Sequence, residues 1–116
     1  PLELHLVHRA ASGALAVVGV LIEYGAVNPA YAAVIEHLPA APGKHEHLEH
    51  VAVDIDALLP PARQAFSYAG SLTTPPCTEG VRWLVLRSPV ALDAAQIERL
   101  GRVLHHNNRP VQALHE

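Results

Sequence analysis

Several features that would indicate a particular partner or location are scarce or missing in this 116-residue chain. There is no surplus of basic residues, because the formal net charge is -3 at pH 7 and the sequence pI is near 6.3. We therefore expect neither a nucleic-acid nor a membrane-surface partner, since both need cations to neutralise phosphates or anionic lipids. The apolar run at residues 14–22 is too short for a membrane-spanning helix of about 20 residues, so we expect a soluble chain.

The chain also lacks an initiator methionine and contains a single cysteine. It begins at Pro1 and enters an alternating strand pattern at once, which leads us to expect a fragment. Cys77 fits a disulfide of an exported protein whose partner cysteine lies outside this sequence. It equally fits a reduced, buried thiol of a cytosolic protein. Composition leaves these two alternatives open.

What the sequence does contain is a clear strand pattern near its start. Alternation over residues 3–8 predicts a strand with Glu3, His5 and Val7 on one face. Apolar residues occur on both faces, which favours a central strand. The β-branched run at residues 14–22 follows Ser12-Gly13 and predicts a hairpin that returns beside the first strand.

Helix signals appear in two places farther along the chain. Asn28-Pro29 predicts the start of a short amphipathic helix, and Asp93 predicts the start of a second one. The predicted elements between them are an exposed loop at 39–50, apolar alternation at 51–59, strands at 65–68 and 81–86, and an irregular segment at 71–77. The C-terminal tail after the second helix is predicted to be extended or looped.

Glu3 and His5 form the first pattern with chemical content. A carboxylate on the same strand face can accept a hydrogen bond from one imidazole nitrogen and fix the tautomer of a metal-binding histidine. A purely structural hydrogen-bonded pair is the alternative, and the pattern alone does not decide between them. His8 points to the opposite face and is interpreted as a core histidine.

Four other histidines are interpreted without a functional role. His45 and His47 have the spacing of two ligands on one strand face, but charged neighbours and a preceding Pro-Gly indicate a solvated segment. We expect no specific metal site there. His105 and His106 lie at the end of the second predicted helix, where they can interact favourably with its C-terminal dipole.

Ser71-Leu-Thr-Thr-Pro-Pro-Cys is the second informative pattern, because two hydroxyls precede two adjacent prolines. A rigid loop of this kind can aim a hydroxyl at a reacting group. The alternative is a turn or bulge in which Thr73 and Thr74 serve only as local caps.

Taken together, four segments resemble alpha-class carbonic anhydrases, in that family's order. They are Glu3-Leu-His-Leu-Val-His, Leu15-Ala-Val-Val-Gly, the run from Tyr68 to Trp83 that contains Ser71-Leu-Thr-Thr-Pro-Pro-Cys, and Asn107-Asn-Arg-Pro-Val-Gln. The resemblance covers essentially the whole chain. It implies an α+β, mostly β fold: a large, twisted, mainly antiparallel sheet with short peripheral helices. Residues 1–116 would form the C-terminal half of one such domain.

The resemblance also implies a function, the zinc-dependent reversible hydration of carbon dioxide to bicarbonate and a proton by attack of zinc-bound hydroxide. His5 matches the last of the family's three histidine ligands to Zn2+, and Glu3 matches the carboxylate that supports it. The other two ligands, a buried glutamate and any proton-relay histidine match no residue here. We therefore expect this fragment to be inactive alone, and carbon dioxide or bicarbonate to be the small-molecule partner of the intact protein.

Further positions are matched on the same basis. Thr73 matches the threonine that orients the hydroxide, and Thr74 matches a neighbouring pocket position. The residues that match the apolar wall for carbon dioxide are Val7, Val17, Leu72, Val81 and Trp83. An apolar wall is physically reasonable, because carbon dioxide has no net charge or dipole and suits a dry pocket.

Cys77 resembles the position at which many bacterial members form a disulfide to an N-terminal cysteine, here outside the sequence. The resemblance thus implies a periplasmic or secreted protein, and it is compatible with a homodimer. The alternative function is a catalytically inactive carbonic-anhydrase-like binding module. The residues that precede Pro1 would distinguish the two functions, because the missing His-X-His ligands belong there.

Overall fold

The computed structural model describes residues 1–39, 41 and 43–114. The elements, in chain order, are β1 (Leu2–Arg9), β2 (Leu15–Tyr24), α1 (Pro29–Glu36), a 3-10 helix (Asp56–Leu58), β3 (Ala65–Ser71), β4 (Glu79–Leu86), β5 (Val90–Leu92) and α2 (Ala94–Leu104). The four predicted strands and both predicted helices are confirmed. The apolar alternation at residues 51–59 forms no strand and contains the 3-10 helix instead. The short strand β5 was not predicted.

The five strands form one sheet in the order β1-β2-β4-β3, with β5 also paired to β2. The longer ladders, β1 with β2 and β3 with β4, are antiparallel, whereas β2 runs parallel to β4 and β5. This arrangement matches the expected mainly antiparallel sheet with two peripheral helices. Strand β2 is the centre of the sheet, because it pairs with three other strands.

The prediction that β1 is a central strand is wrong for the part of the chain that the structure describes. There β1 pairs with β2 alone and forms an edge of the sheet. The physical reason is that its apolar pattern reports packing on two faces, and packing on two faces does not require pairing along two edges. Leu2 and Leu4 pack on one side of the sheet, and His5 contacts Trp83 on the other.

The hairpin between β1 and β2 forms as predicted. Its register pairs Leu2 with Ile22 at one end and Arg9 with Leu15 at the other. Gly13 has a φ of 89°, in the left-handed region that glycine adopts without a steric penalty. The tight turn at this glycine fixes which β2 residues lie beside Glu3 and His5.

One face of the sheet packs against the helices and forms what we call the main core. It consists of nine buried residues: Val20, Ile22, Tyr31, Ile35, Leu58, Leu86, Val90, Leu92 and Ile97. The Tyr31 hydroxyl donates a hydrogen bond to the Leu58 carbonyl at 2.7 Å, so this polar atom is satisfied within the core. None of the described helices is long and apolar enough to cross a membrane.

The N-termini of the two helices are bound to each other. Asn28 caps α1 and Asp93 caps α2, the latter in a capping box with Gln96. The Gln96 side chain accepts from the Asn28 backbone N–H and donates to the Asn28 carbonyl, both at 2.9 Å. Both helices therefore begin at one shared polar junction beside the main core.

A second, smaller group of buried residues lies on the opposite face of the sheet, and we call it the site cluster. It consists of Val17, Val81 and Trp83, with partly buried Leu15, Leu72 and Val85 packed around them. The register places His5 on this face, because His5 pairs with Gly19, two residues from Val17. The two faces of β1 and β2 thus separate the stabilising core from the candidate site.

Candidate active site

Glu3 and His5 lie side by side on the face of β1 that carries the site cluster. The distance between Nε2 of His5 and Oε1 of Glu3 is 3.4 Å, and the two side chains are 30% and 36% exposed. Because Nε2 faces the carboxylate, Nδ1 is the ring nitrogen left for another partner. This geometry suits an imidazole whose tautomer is fixed by a neighbouring carboxylate.

Trp83 connects His5 to the loop that follows β3. The two rings meet edge-on, with centroids 4.9 Å apart and planes at 78°. The indole Nε1 donates a hydrogen bond of 2.9 Å to the carbonyl of Ser71, the last residue of β3. Trp83 is buried, so both contacts are held in a fixed position. The apolar residue predicted for a pocket wall therefore also links two parts of the site.

Ser71 holds the start of the Thr-Thr-Pro-Pro loop through both its side chain and its backbone. Its hydroxyl donates to the Leu72 carbonyl at 3.0 Å and accepts from Nη1 of Arg109 at 2.6 Å. Its carbonyl is the acceptor for Trp83. These contacts, together with the Leu72 N–H bond to the Thr78 carbonyl at 2.9 Å, fix both ends of the loop.

The loop itself presents its two threonines to solvent. Thr73 and Thr74 are exposed, and among the described residues neither hydroxyl makes a hydrogen bond within the protein. The local-cap alternative therefore does not apply to them in this structure. The Thr74 carbonyl accepts from the Cys77 N–H at 2.8 Å, and the bond between Pro75 and Pro76 is cis. The loop leaves both hydroxyls available to another group.

Most of the residues predicted to form an apolar wall lie together. Val17, Val81 and Trp83 are the buried members of the site cluster, and Leu72 packs against them. Val7 pairs with Val17 across the hairpin but is 61% exposed. Whether these residues receive a substrate stays a prediction.

The charge of Glu3 extends across this face as far as Tyr68 on β3. The Tyr68 ring stacks on Trp83, with centroids 6.3 Å apart and planes at 7°. Burial raises the pKa of Tyr68 above its ordinary value, and the Glu3 carboxylate raises it further. The carboxylate, the imidazole and two aromatic rings thus form one connected group.

The other histidines interpreted from the sequence do not join this group. His45 and His47 lie in an exposed segment without regular structure, and His105 and His106 are exposed after α2. Within residues 1–39, 41 and 43–114 no three histidine, cysteine, aspartate or glutamate side chains cluster as a metal site. The prediction that His8 is a core residue is wrong, because His8 is exposed. The last three residues of β1 are all exposed, so no layer of the described residues packs on that end of the strand.

Cys77 is the chain's single cysteine and is half-buried directly after the prolines, with a positive φ of 56°. A disulfide would therefore need a partner outside this sequence. That pairing stays a prediction.

Sequence reasoning assigned no role to three residues that shape the site, which are Gly19, Tyr68 and Arg109. An isolated glycine in a β-branched strand signals a close approach by another group, and this signal was present at Gly19. Tyr68 and Arg109 lie within matched segments, but their partners Trp83 and Ser71 are 15 and 38 residues away. No local spacing rule indicates contacts over such separations.

Comparisons with known proteins identify relatives of this chain. A family model described as eukaryotic-type carbonic anhydrase matches residues 1–116. The carbonic anhydrase of Pectobacterium carotovorum is 46% identical over 115 residues, covering 98% of this chain and 47% of its own length. The carbonic anhydrase of Nostoc sp. is 41% identical, and the match covers 99% of this chain and 44% of the length of that relative. The chain thus spans about half the length of the relatives it matches.

Solved structures give the same result for the fold. The alpha-carbonic anhydrase from Thermovibrio ammonificans, in complex with the inhibitor sulfanilamide, has a TM-score of 0.89 and 43% identity. The match covers 96% of this chain and 49% of that one. The Photobacterium profundum alpha-carbonic anhydrase has a TM-score of 0.90 and 40% identity, over 97% and 52% of the two chains.

Proposed function

This chain belongs to the eukaryotic-type, alpha-class carbonic anhydrase family, and from that premise we propose that it supplies part of the active site of a zinc enzyme that interconverts carbon dioxide and bicarbonate. One observation in this chain carries the proposal. Continuous contacts link the Glu3–His5 pair through Trp83 to Ser71, where the exposed Thr73 loop begins. These contacts would hold an imidazole suited to metal binding close to the loop that carries the Thr73 hydroxyl.

The residues present could supply one histidine ligand of a zinc site, together with the carboxylate that supports it. Nε2 of His5 faces Glu3, so Nδ1 would be the nitrogen that binds the metal, and a carboxylate-supported imidazole is a common zinc ligand. The described residues hold no set of three potential ligands. We propose that the other ligands come from polypeptide outside this sequence. When bound, zinc supplies Lewis acidity that makes water a nucleophile near neutral pH.

The chain's own residues would then orient the reactants and exclude water. Glu3 holds the His5 ring in one tautomer. The Thr73 hydroxyl, with no partner among the described residues, would accept a hydrogen bond from the nucleophile and orient it. Val17, Val81 and Trp83 would offer carbon dioxide a dry apolar surface, which a molecule without net charge or dipole favours.

Two further proposals concern the context of the enzyme. We propose that Cys77 forms a disulfide to a cysteine outside this sequence, which would brace the end of the Thr73 loop. A periplasmic or secreted location belongs with this proposal, because disulfides persist in oxidising compartments. Cys77 is half-buried directly after the prolines, so its thiol is partly accessible to such a partner.

Zinc content and hydration rate, measured on the complete protein that carries this chain, test the function. We expect His5→Ala to lose most of the bound zinc in elemental analysis. Thr73→Val is expected to keep the zinc but to lower kcat/KM for carbon dioxide hydration by about 100-fold, because an oriented polar contact to the reacting group is removed. His8→Ala is the matched control, since His8 is exposed on the opposite face, and it should change neither quantity.

Two outcomes would contradict the proposal. Full zinc occupancy in His5→Ala would exclude His5 as a ligand. A complete protein that binds no zinc and does not hydrate carbon dioxide would instead be a binding module with the same fold.

A further inference from the structure

We propose that Gly19 is a positioning residue for the zinc ligand His5, because only a residue without a side chain leaves room for the Glu3 carboxylate that holds the imidazole. The inference rests on the proposed function in one respect, namely that His5 binds zinc. Gly19 itself touches neither metal nor substrate. It acts through Glu3, and Glu3 acts through His5.

The space at Gly19 is occupied from two sides. Gly19 pairs with His5 on β1 and with Val85 on β4, so it lies between them at the centre of the site face. A Cβ atom built on Gly19 would lie 2.6 Å from Oε1 of Glu3, 3.7 Å from its Cδ and 3.4 Å from Cγ2 of Val85. The carboxylate oxygen that faces His5 is the same oxygen that this Cβ would meet.

The backbone conformation at position 19 does not explain why that residue is a glycine. Gly13 and Gly80 adopt positive φ values of 89° and 84°, whereas Gly19 does not lie in the left-handed region. An L-residue could adopt its backbone, and glycine normally weakens a strand interior. What glycine provides at position 19 is therefore space for a close approach.

The contact between Glu3 and His5 that this space permits is easily lost. The distance between Nε2 of His5 and Oε1 of Glu3 is 3.4 Å, longer than the roughly 2.7–3.2 Å of an N–H···O hydrogen bond, so any displacement of the carboxylate weakens this contact further. A clash at 2.6 Å forces either the carboxylate or the strand to move, and Val85 on the far side closes one direction of relief. Moving the carboxylate releases the imidazole, so alanine at position 19 would free the ring that Glu3 now orients. Loss of such a supporting contact lowers metal affinity by about 10- to 100-fold.

Gly25 offers a matched control. A Cβ atom there would also meet a neighbour at 2.6 Å, but that neighbour is Cβ of Ala91 on β5, away from Glu3 and His5. Gly25→Ala and Gly19→Ala thus introduce the same change and the same closest distance at two places along one segment. A general packing defect would affect both variants alike, whereas loss of His5 positioning would affect only Gly19→Ala.

The test is a double-mutant cycle of Gly19→Ala and Glu3→Ala in the complete protein, with zinc affinity measured by competition against a chelator. We expect Gly19→Ala to weaken zinc binding by about tenfold. In the Glu3→Ala background, Gly19→Ala should cause no further loss, because the oxygen it would displace is absent. Gly25→Ala should leave zinc affinity unchanged, even where it lowers the unfolding midpoint.

Three results would overturn the inference: unchanged zinc affinity in Gly19→Ala, an equal loss in the Glu3→Ala background, or an equal loss in Gly25→Ala. If His5→Ala keeps its zinc, the proposed role of His5 as a zinc ligand fails separately, and the same cycle is then measured by the unfolding midpoint. Gly19→Ala must lower that midpoint when Glu3 is present and leave it unchanged when Glu3 is absent. If Gly19→Ala folds only in the Glu3→Ala background, the crowding of Glu3 is demonstrated directly, whereas failure to fold in both backgrounds would refute it.

Discussion

The main core and the site cluster lie on opposite faces of the same sheet and are built differently. The main core contains nine buried side chains held between the sheet and both helices. The site cluster has three, Val17, Val81 and Trp83, surrounded by exposed Val7, Phe66 and Tyr68. The main core is stabilised by apolar burial, whereas the site cluster also depends on the hydrogen bond between Trp83 and Ser71.

This difference separates stability from positioning. A substitution in the main core removes buried area without touching His5 or the Thr73 loop. A conservative substitution such as Trp83→Phe keeps an aromatic ring in place but removes the hydrogen bond to Ser71 that links them. Because the apolar residues around the site cluster are exposed, the described part of the chain leaves this face of the sheet partly uncovered.

The largest effect on stability is expected from the main core. Leu92 is 0% exposed, so Leu92→Ala should lower the free energy of unfolding of the complete protein by about 2–5 kcal/mol, because it removes buried methyl groups and leaves a cavity. Denaturant titration measures this loss. The zinc content of the folded protein should not change. Leu114→Ala is the control, since Leu114 is 87% exposed; equal effects of the two variants would contradict the assignment of the core.

The opposite pattern is expected for the site cluster. Trp83→Phe keeps an aromatic ring but removes the N–H that donates to the Ser71 carbonyl. We expect a loss of about 1–3 kcal/mol in the free energy of unfolding, because the Ser71 carbonyl loses its donor and the smaller ring fills less of the site cluster. Because the Thr73 loop loses an anchor, kcat/KM for hydration should fall by roughly 10- to 100-fold. Stopped-flow assays set beside denaturant titrations measure both. A stability loss as large as that of Leu92→Ala, with unchanged kinetics, would remove the distinction between the two regions.

The smallest effects concern two tyrosines, one in each region. Burial raises the pKa of Tyr31, in the main core, to about 12, from an ordinary value of 10.0. Its protonated form is therefore favoured by folding. The stability that this provides is complete below about pH 10 and is lost as the pH rises through about 12.

Tyr68 differs because the Glu3 charge contributes to its raised pKa, after burial. Glu3→Gln should consequently lower the pKa of Tyr68 and leave that of Tyr31 unchanged. Absorbance titration of tyrosinate, with Tyr68→Phe and Tyr31→Phe to assign the signals, measures both groups. An unchanged pKa of Tyr68 in Glu3→Gln would place the carboxylate away from this face.

Local signals predicted much of the fold and part of the site. The Ser12-Gly13 turn, the Asn28 and Asp93 caps and the period-two pattern of β1 each lie within a few residues, and each predicted element was confirmed. β5 was missed because three residues are too few to show a periodicity. Glu3 and His5 were predicted to share a strand face because they are two residues apart.

The contacts that join the site together could not be read in the same way. The hydrogen bonds of Ser71 with Trp83 and Arg109 span 12 and 38 residues, and they depend on the pairing of β3 with β4 and on the path of the tail. The errors at β1 and His8 have a related cause. A sequence pattern records the polarity of each face, but it does not record which edge is paired or where a packing layer ends.

The parallel pairing of β2 has a consequence for synthesis on the ribosome. β2 can pair with β1 as soon as the hairpin emerges, but its other edge waits for β4, which begins only at Glu79, and then for β5. At about 5 to 20 residues per second, that wait lasts seconds. During it, an apolar, β-branched strand presents unpaired N–H and C=O groups, the kind of template on which other chains aggregate. The strand that will carry Gly19 beside His5 is therefore one that the nascent chain needs to protect.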